Sequence, residues 1–402
     1  MNKLICLISA LSFGTYALAD DTEIYGATAI DENSRVNSNV LFIMDTSGSM
    51  RGTVSSTHAS YDPNTDYDGN YYNNYIYPSL SSSRNQGNPA YALDSGSCAT
   101  VISTLSSVGR ATGYFQQRGK STLKSNSSKT ITCSATAKSK FGYYYLHTDN
   151  YMNWKYYGGK VSSTRMEIVV DVVKDLTKSL TNINLGLMRF DRNSDGGMID
   201  VPVSDIITSG PLIQAKLDSY YPDGGTPLEE TMYEASRYYR GEEWYFGNNS
   251  SPNSSVSDSR LGAASTDYKS PIEESCQKNH IILLTDGEPT NDNSANSKVQ
   301  SLIDKMTLPG GLSHSCSGSG ECLDELAYWL KNTDHSTSQA GSQPITTYTI
   351  GGFGLANGVA LLKNAADFGG GRYFAADDTE ELTEALESIF LDILSTDSTF
   401  TA

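Results

Sequence analysis

Hydrophobic and polar positions fall into short blocks along this chain. Val40-Leu41-Phe42-Ile43-Met44 is a continuous apolar run, as expected of a strand buried on both faces. Ile281–Thr285 and Pro344–Ile350 repeat that pattern. Val169, Val172, Val173, Leu176 and Leu180 recur at helical spacing and predict a helix over Arg165–Leu180. Asn184–Phe190 and Met198–Val203 read as antiparallel strands about a turn at Asp191–Gly197. Further helices are expected at Leu212–Tyr220, Pro227–Tyr239, Leu355–Asp367 and Thr379–Leu394, with a short strand at Arg372–Ala375. Short buried strands alternating with helices predict an α/β fold with a doubly wound, mostly parallel sheet.

Two polar stretches interrupt this pattern, at about 53–160 and 241–275. The first follows the first strand directly. It holds 14 of the 26 Tyr, with five acidic and ten basic residues, in a chain of net charge −17. It reads as a Tyr-rich insertion of turns and short β pieces. Insertions that long usually serve a function or lack order. Both leave strand–helix junctions, so both are expected over one rim of the sheet. The chain's 46 Asp+Glu against 29 Lys+Arg argue against a nucleic-acid partner or a generic anionic-lipid surface. The basic cluster Arg118, Lys120, Lys124, Lys129, Lys138 and Lys140 reads as a solvated loop balancing an acidic core.

Met1-Asn2-Lys3, the apolar run Leu4–Leu18 and Ala17-Leu18-Ala19 have the form of a secretory signal peptide. Export follows from it, with the remaining chain lacking any transmembrane segment. The expected organisation is a signal peptide at 1–19, an N-terminal segment at 20–38 and one domain over 39–395, followed by a tail at 396–402. Cys98, Cys133, Cys276, Cys316 and Cys322 remain after cleavage, an odd number. Cys316 with Cys322 would close a local loop and Cys98 with Cys133 would staple the insertion. That pairing leaves Cys276 over, and spacing alone leaves the connectivity open.

Asp45-Thr46-Ser47-Gly48-Ser49 follows the first buried strand directly. Ligands of open α/β sheets bind beyond the carboxyl ends of the strands. Asp45, Ser47 and Ser49 would present three hard oxygen ligands from one tight loop, a set suited to Mg²⁺. Asp and Ser also serve as helix caps and turn formers, so the motif alone is ambiguous. Asp286, after the strand Ile281–Thr285, emerges at the same sheet edge, and Gly224-Gly225-Thr226-Pro227 opens a helix there. Two carboxylates converging at one edge repel unless a cation lies between them.

With these three loops the chain from Val40 to about Leu394 resembles a von Willebrand factor type A domain with a metal-ion-dependent adhesion site. The resemblance implies that Asp45, Ser47, Ser49, Thr226 and Asp286 make or support a Mg²⁺ shell, with Mn²⁺ or Ca²⁺ as alternatives. It also implies that a protein partner's exposed acidic side chain completes the coordination. Tyr61-Asp62-Pro63-Asn64, Cys276-Gln277-Lys278-Asn279 and Gly369-Gly370-Gly371-Arg372-Tyr373-Phe374 narrow the resemblance. They are similar to the N-terminal part of type IV pilus tip-associated proteins of the PilY/PilC kind. That match implies a cell-surface, pilus-tip or outer-membrane setting, with minor pilins or a host or surface ligand as partners. In that family a β-propeller follows the type A domain. This chain stops at Ala402, so it is expected to be either a piece of a longer protein or a short member. Functions of the propeller are not carried over.

Other candidates are weaker. Asp191-Arg192-Asn193-Ser194-Asp195-Gly196 fits the start of a calcium loop, but Pro202 stands where the last ligand belongs, so it reads as a hairpin turn. Asp62, Asn64, Asp66 and Asp68 alternate like calcium ligands, but Gly69 comes too late for the turn. A second Ca²⁺ site is therefore not expected. The five His are scattered, and neither H-E-x-x-H nor G-x-S-x-G occurs. No enzyme activity is expected. A metal-assisted hydrolase using the Asp/Ser cluster, or a pilus component whose ion only stabilises it, are the alternatives.

Overall fold

A strand without a polar residue from Val40 to Met44 needs apolar cover on both faces, and it lies inside the main sheet. The computed structural model describes residues 36–71, 76–79, 92–116, 130–136, 141–192, 195–248, 255–313, 315–355 and 357–397. The expected signal peptide, the tail beyond 397 and the cluster Arg118, Lys120, Lys124, Lys129, Lys138 and Lys140 lie outside the described residues. The six strands run in the order Gly197–Asp205, Ile183–Phe190, Ser38–Met44, Asn279–Thr285, Ile345–Gly352, Gly370–Ala376. All neighbours are parallel except the edge pair Ile183–Phe190 with Gly197–Asp205. The strand order reverses at Ser38–Met44, which makes the gap between it and Asn279–Thr285 the topological switch point.

Alternation along the central strand divides the interior in two. Val40, Phe42 and Met44 join Val169, Val172, Val173 and Leu176 of the helix Arg165–Ser179. Leu382, Leu386, Ile389 and Ile393 of the C-terminal helix Thr379–Asp397 complete that core. Leu41 and Ile43 face the other way, toward the helices Leu228–Arg240, Asn296–Ile303 and Leu323–Asn332. Both faces are covered, so the doubly wound expectation holds for the sheet. Among the described residues no helix is long and apolar enough to cross a membrane.

Several expectations need correction. The helix expected at Leu212–Tyr220 runs from Ile206 to Leu217, because the Asp205 side chain caps it and Pro211 is accommodated within it. The helices Asn296–Ile303 and Leu323–Asn332 were not expected at all. The chain after the first strand carries more regular structure than turns and short β pieces. It holds the helices Ala99–Val108 and Asp149–Tyr157 and a sheet of Ile76–Ser79, Phe141–Thr148, Arg110–Gln116 and Cys133–Ser134. A two-stranded neck, Thr53–His58 against Lys160–Thr164, connects it to the domain.

The two polar stretches do not share one rim. Tyr114, Tyr143 and Tyr145 of the first are buried in the core that holds Val40. Phe246, Tyr268 and Ile272 of the second are buried in the opposite core. Their apolar side chains, not their points of departure, decide where they lie. Cys98–Cys133 and Cys316–Cys322 are disulfide-bonded, and Cys276 is free and exposed.

Candidate metal centre

The central strand ends at Met44, opposite Leu284 of its parallel neighbour. That register brings Asp45 and Asp286 out at the same edge of the switch point. Asp45 is fully buried. Its Oδ1 accepts the Ser47 N–H at 2.7 Å, and its Oδ2 accepts the Thr285 hydroxyl at 2.7 Å and the Asp286 N–H at 3.3 Å. The Ser47 and Ser49 hydroxyls lie 2.8 Å apart, and Ser49 Oγ donates to Asp286 Oδ1 at 2.6 Å. The third loop is tied to the first by Gly48 N–H on Gly224 O at 3.1 Å and Asp223 N–H on Thr46 O at 2.8 Å. Gly224 has φ +86°, and a Cβ there would lie 2.5 Å from Arg192 O, so only glycine fits this close approach.

Thr226 is buried two residues before the helix Leu228–Arg240. An ideal Cβ on Gly287 would lie 3.6 Å from Thr226 Oγ1 and 3.7 Å from Ser49 Oγ, so those two hydroxyls approach one shared space. Asp45, Ser47, Ser49, Thr226 and Asp286 therefore come together at this edge of the sheet. Ser47, Ser49, Thr226 and Asp286 line an open cleft of about 440 Å³, with Asp45 beneath it.

Electrostatics fits this donor set to a cation. Burial, followed by the Asp286 charge, pushes the Asp45 carboxyl up to about 6, against the hydrogen bonds from Ser47 and Thr285. A divalent ion would relieve both penalties. Among the described residues no group of three or more His, Cys, Asp or Glu suits a metal. The site instead combines hydroxyls with two carboxylates, a hard-oxygen set of the kind Mg²⁺ prefers. The residues present fit the ion: Ser47, Ser49 and Thr226 would offer hydroxyls, and Asp45 and Asp286 the negative charge.

Arg165 is the contributor that sequence reading missed. Its Nη1 lies 2.6 Å from Asp286 Oδ2. It is the first residue of its helix, after the capping box of Thr164 with Glu167, and the capping signal says nothing about the direction of its side chain. Thr285, the last residue of an otherwise apolar strand run, was the one visible hint of a partner for Asp45. The other candidates stay apart from the cleft. Asp191 N–H bonds Gly196 O at 2.8 Å, a closed hairpin turn, with Asn193 and Ser194 outside the described residues. Asp62 Oδ1 accepts the Asn64 N–H at 2.9 Å in an exposed turn. None of the described histidines lines the cleft.

No protein-family model matches the chain, and neither does any curated protein. Solved structures do match in part. A von Willebrand factor type A protein from Catenulispora acidiphila is 13% identical and has a TM-score of 0.33, over 57% of this chain and 38% of that one. The von Willebrand factor domain of the type V pili tip protein Mfa5 from Porphyromonas gingivalis is 13% identical with a TM-score of 0.30, over 57% of this chain and 89% of that one. The PilB minor pilin from Streptococcus sanguinis is 16% identical with a TM-score of 0.33, over 73% of this chain and 80% of that one. Identities this low concern the fold alone. In strand order and loop chemistry, the chain resembles a von Willebrand factor type A domain. The cleft opens at the switch point, where the central strand and its neighbour both deliver a carboxylate.

Proposed function

We propose that this chain is a metal-dependent adhesion or protein-binding module that holds an acidic side chain of a protein partner through Mg²⁺. The observation that carries this reading is the convergence of Asp45, Ser47, Ser49, Thr226 and Asp286 around one open cleft. Mn²⁺ or Ca²⁺ could take the same oxygens. The ion would supply a positive point that recruits a carboxylate, while the chain's own residues hold the donors, bury Asp45 and keep the cleft open. We place the module on an exported factor at the cell surface, pilus tip or outer membrane, acting in pilus biogenesis, twitching motility or attachment. That setting rests on the sequence resemblance, the signal-peptide pattern and the two disulfides. The 53–160 stretch is read as an inserted subdomain of the type A domain.

The test is a set of thermal melts of the secreted chain with Mg²⁺, Mn²⁺, Ca²⁺ or EDTA, beside Asp45→Ala. A specific site stabilises by RT ln(1 + [L]/Kd), about 2.7 kcal/mol at a hundredfold excess over Kd, and the response disappears in the variant. A wild-type chain indifferent to all three ions sinks the metal reading. Metal binding without any effect of Asp45→Ala on adhesion or piliation leaves the ion a structural part only. Ester or phosphate turnover that depends on Ser47 replaces the adhesion reading with a hydrolase.

A further inference from the structure

The cleft holds a cation of the protein's own. Arg165 is 27% exposed and lines the cleft, while its Nη1 pairs at 2.6 Å with an Asp286 side chain that is fully buried. Its path there is built into the chain. Gly52, beside the first metal loop, accepts the Arg165 N–H on its carbonyl at 2.8 Å, and a Cβ on Gly52 would come 2.9 Å from Arg165 Nε. Nε itself is buried without a hydrogen-bond partner. The guanidinium carbon lies 5.8 Å from the centre of the Phe353 ring. Phe353 has φ +58°, a conformation that is strained for a bulky residue and persists only where its surroundings impose it. Its N–H bonds Ala376 O at 3.0 Å, which holds that wall in place. Leu355 and Asn357 continue the same wall.

We propose that Arg165 is a specificity-determining residue of the cleft, a second anchor for an acidic partner side chain, with Phe353 and Leu355 receiving an apolar neighbour of that side chain. The inference rests on the metal-site reading for the first anchor only. Arginine suits this place because its planar fork can serve two carboxylates at once. Asp286 takes one edge, and the cleft-facing part of the group meets the partner. A lysine would supply a point charge without the fork. Phe353 holds the guanidinium plane by cation–π contact. Because Arg165 already neutralises part of the Asp286 charge, it also weakens the pull of the site on a bare divalent ion. The arginine therefore lowers ion affinity while raising carboxylate affinity.

The probes are a terminally blocked Asp-Phe dipeptide and its Asn-Phe counterpart, titrated into the full secreted chain and followed by NMR. The chains are wild type, Arg165→Gln and Arg165→Lys, each in Mg²⁺ and in EDTA, with Mg²⁺ affinity measured separately. The expected result for Asp-Phe in Mg²⁺ is a loss of about tenfold or more in Arg165→Gln, part of it restored by Arg165→Lys. Mg²⁺ affinity in Arg165→Gln is expected to hold or tighten. Asn-Phe should not distinguish the three chains. Unchanged Asp-Phe affinity in Arg165→Gln overturns the proposal. So does a parallel loss of Mg²⁺ and dipeptide binding, which would make the arginine only a support for Asp286. If wild type binds no Mg²⁺, the metal reading falls separately. The EDTA arm then decides, since binding of Asp-Phe that Arg165→Gln abolishes keeps the arginine anchor and Arg165-independent binding ends it.

Discussion

Gly287 has no side chain at the point where the Ser49 and Thr226 hydroxyls converge, and Gly224 has none where the third loop crosses Arg192. The two positions separate the site from the fold. At Gly287 a methyl group would make ordinary contacts at 3.6 and 3.7 Å, so Gly287→Ala should leave stability without metal within about 0.5 kcal/mol of wild type. The same methyl stands between two donors, so the Mg²⁺-dependent rise in Tm should shrink. Gly224→Ala forces a Cβ to 2.5 Å from a backbone oxygen at φ +86°. It should lose about 1–3 kcal/mol even in EDTA. Melts of both variants with and without Mg²⁺ check this, and a Gly287→Ala chain with full metal response would show that the two hydroxyls do not serve the ion. The five residues that meet at the cleft were legible as candidates because each sits at a short loop beyond a strand or before a helix. Arg165 was not, since nothing in its spacing from Asp286 distinguishes it from any other helix-starting arginine.

The C-terminal helix Thr379–Asp397 shows why the net charges of the parts differ. Asp378, Glu380, Glu384 and Glu387 meet Lys160, His58, Lys155 and the pair Arg110 with His147, all from the 53–160 stretch. Glu387 is the deepest of them, 3.3 Å from Arg110 and 3.2 Å from His147, with all three side chains buried. Burial alone would push its carboxyl up, but the His147 charge and hydrogen bond, with Lys155 and Arg110, outweigh it and hold it at about 2. The folded-state value lies below the ordinary 4.5, so the contribution is complete above pH 4.5 and is lost as pH falls toward 2. Tm should drop through that window, and the drop should be smaller in Glu387→Gln. The variant should also cost about 3–5 kcal/mol at pH 7, because it leaves Arg110 buried without its counter-charge. An acid profile identical in variant and wild type would remove Glu387 from the cause. The apolar strands were readable from sequence because buried parallel strands have little polar character. Arg110–Gln116 and Phe141–Thr148 were hidden by Arg110, Gly113, Gly142 and His147, polar or small residues whose partners become visible only in three dimensions. Leu323, Leu326, Ala327 and Leu330 did carry a helical spacing, whereas Asn296–Ile303 has too few apolar positions to announce itself.

At the scale of the whole molecule, the 53–160 stretch is stapled as well as zipped. Cys98–Cys133 spans 35 residues, a loop length for which cross-linking contributes about 3–4 kcal/mol in the chain-entropy description. Replacing both cysteines by serine should lower stability by that order, whereas the local Cys316–Cys322 bridge, six residues apart, should contribute less. Chemical denaturation of the two double variants tests the ranking, and equal losses would contradict it. The neck bears on assembly in another way. Thr53 faces Thr164 across it and Gly52 O accepts the Arg165 N–H, so Gly52 and Arg165 are close in space whatever the length of chain between them. Once the neck has zipped, docking Ile183–Phe190 beside the central strand carries the closure entropy of a short loop and not of the whole excursion. The order of folding events then favours the 53–160 stretch and its neck before the parallel sheet, and pulsed hydrogen exchange should find Thr53–His58 protected earlier than Asn279–Thr285. The stretch that separates the first strand from its parallel neighbour in sequence would in time be the piece that lets the two meet.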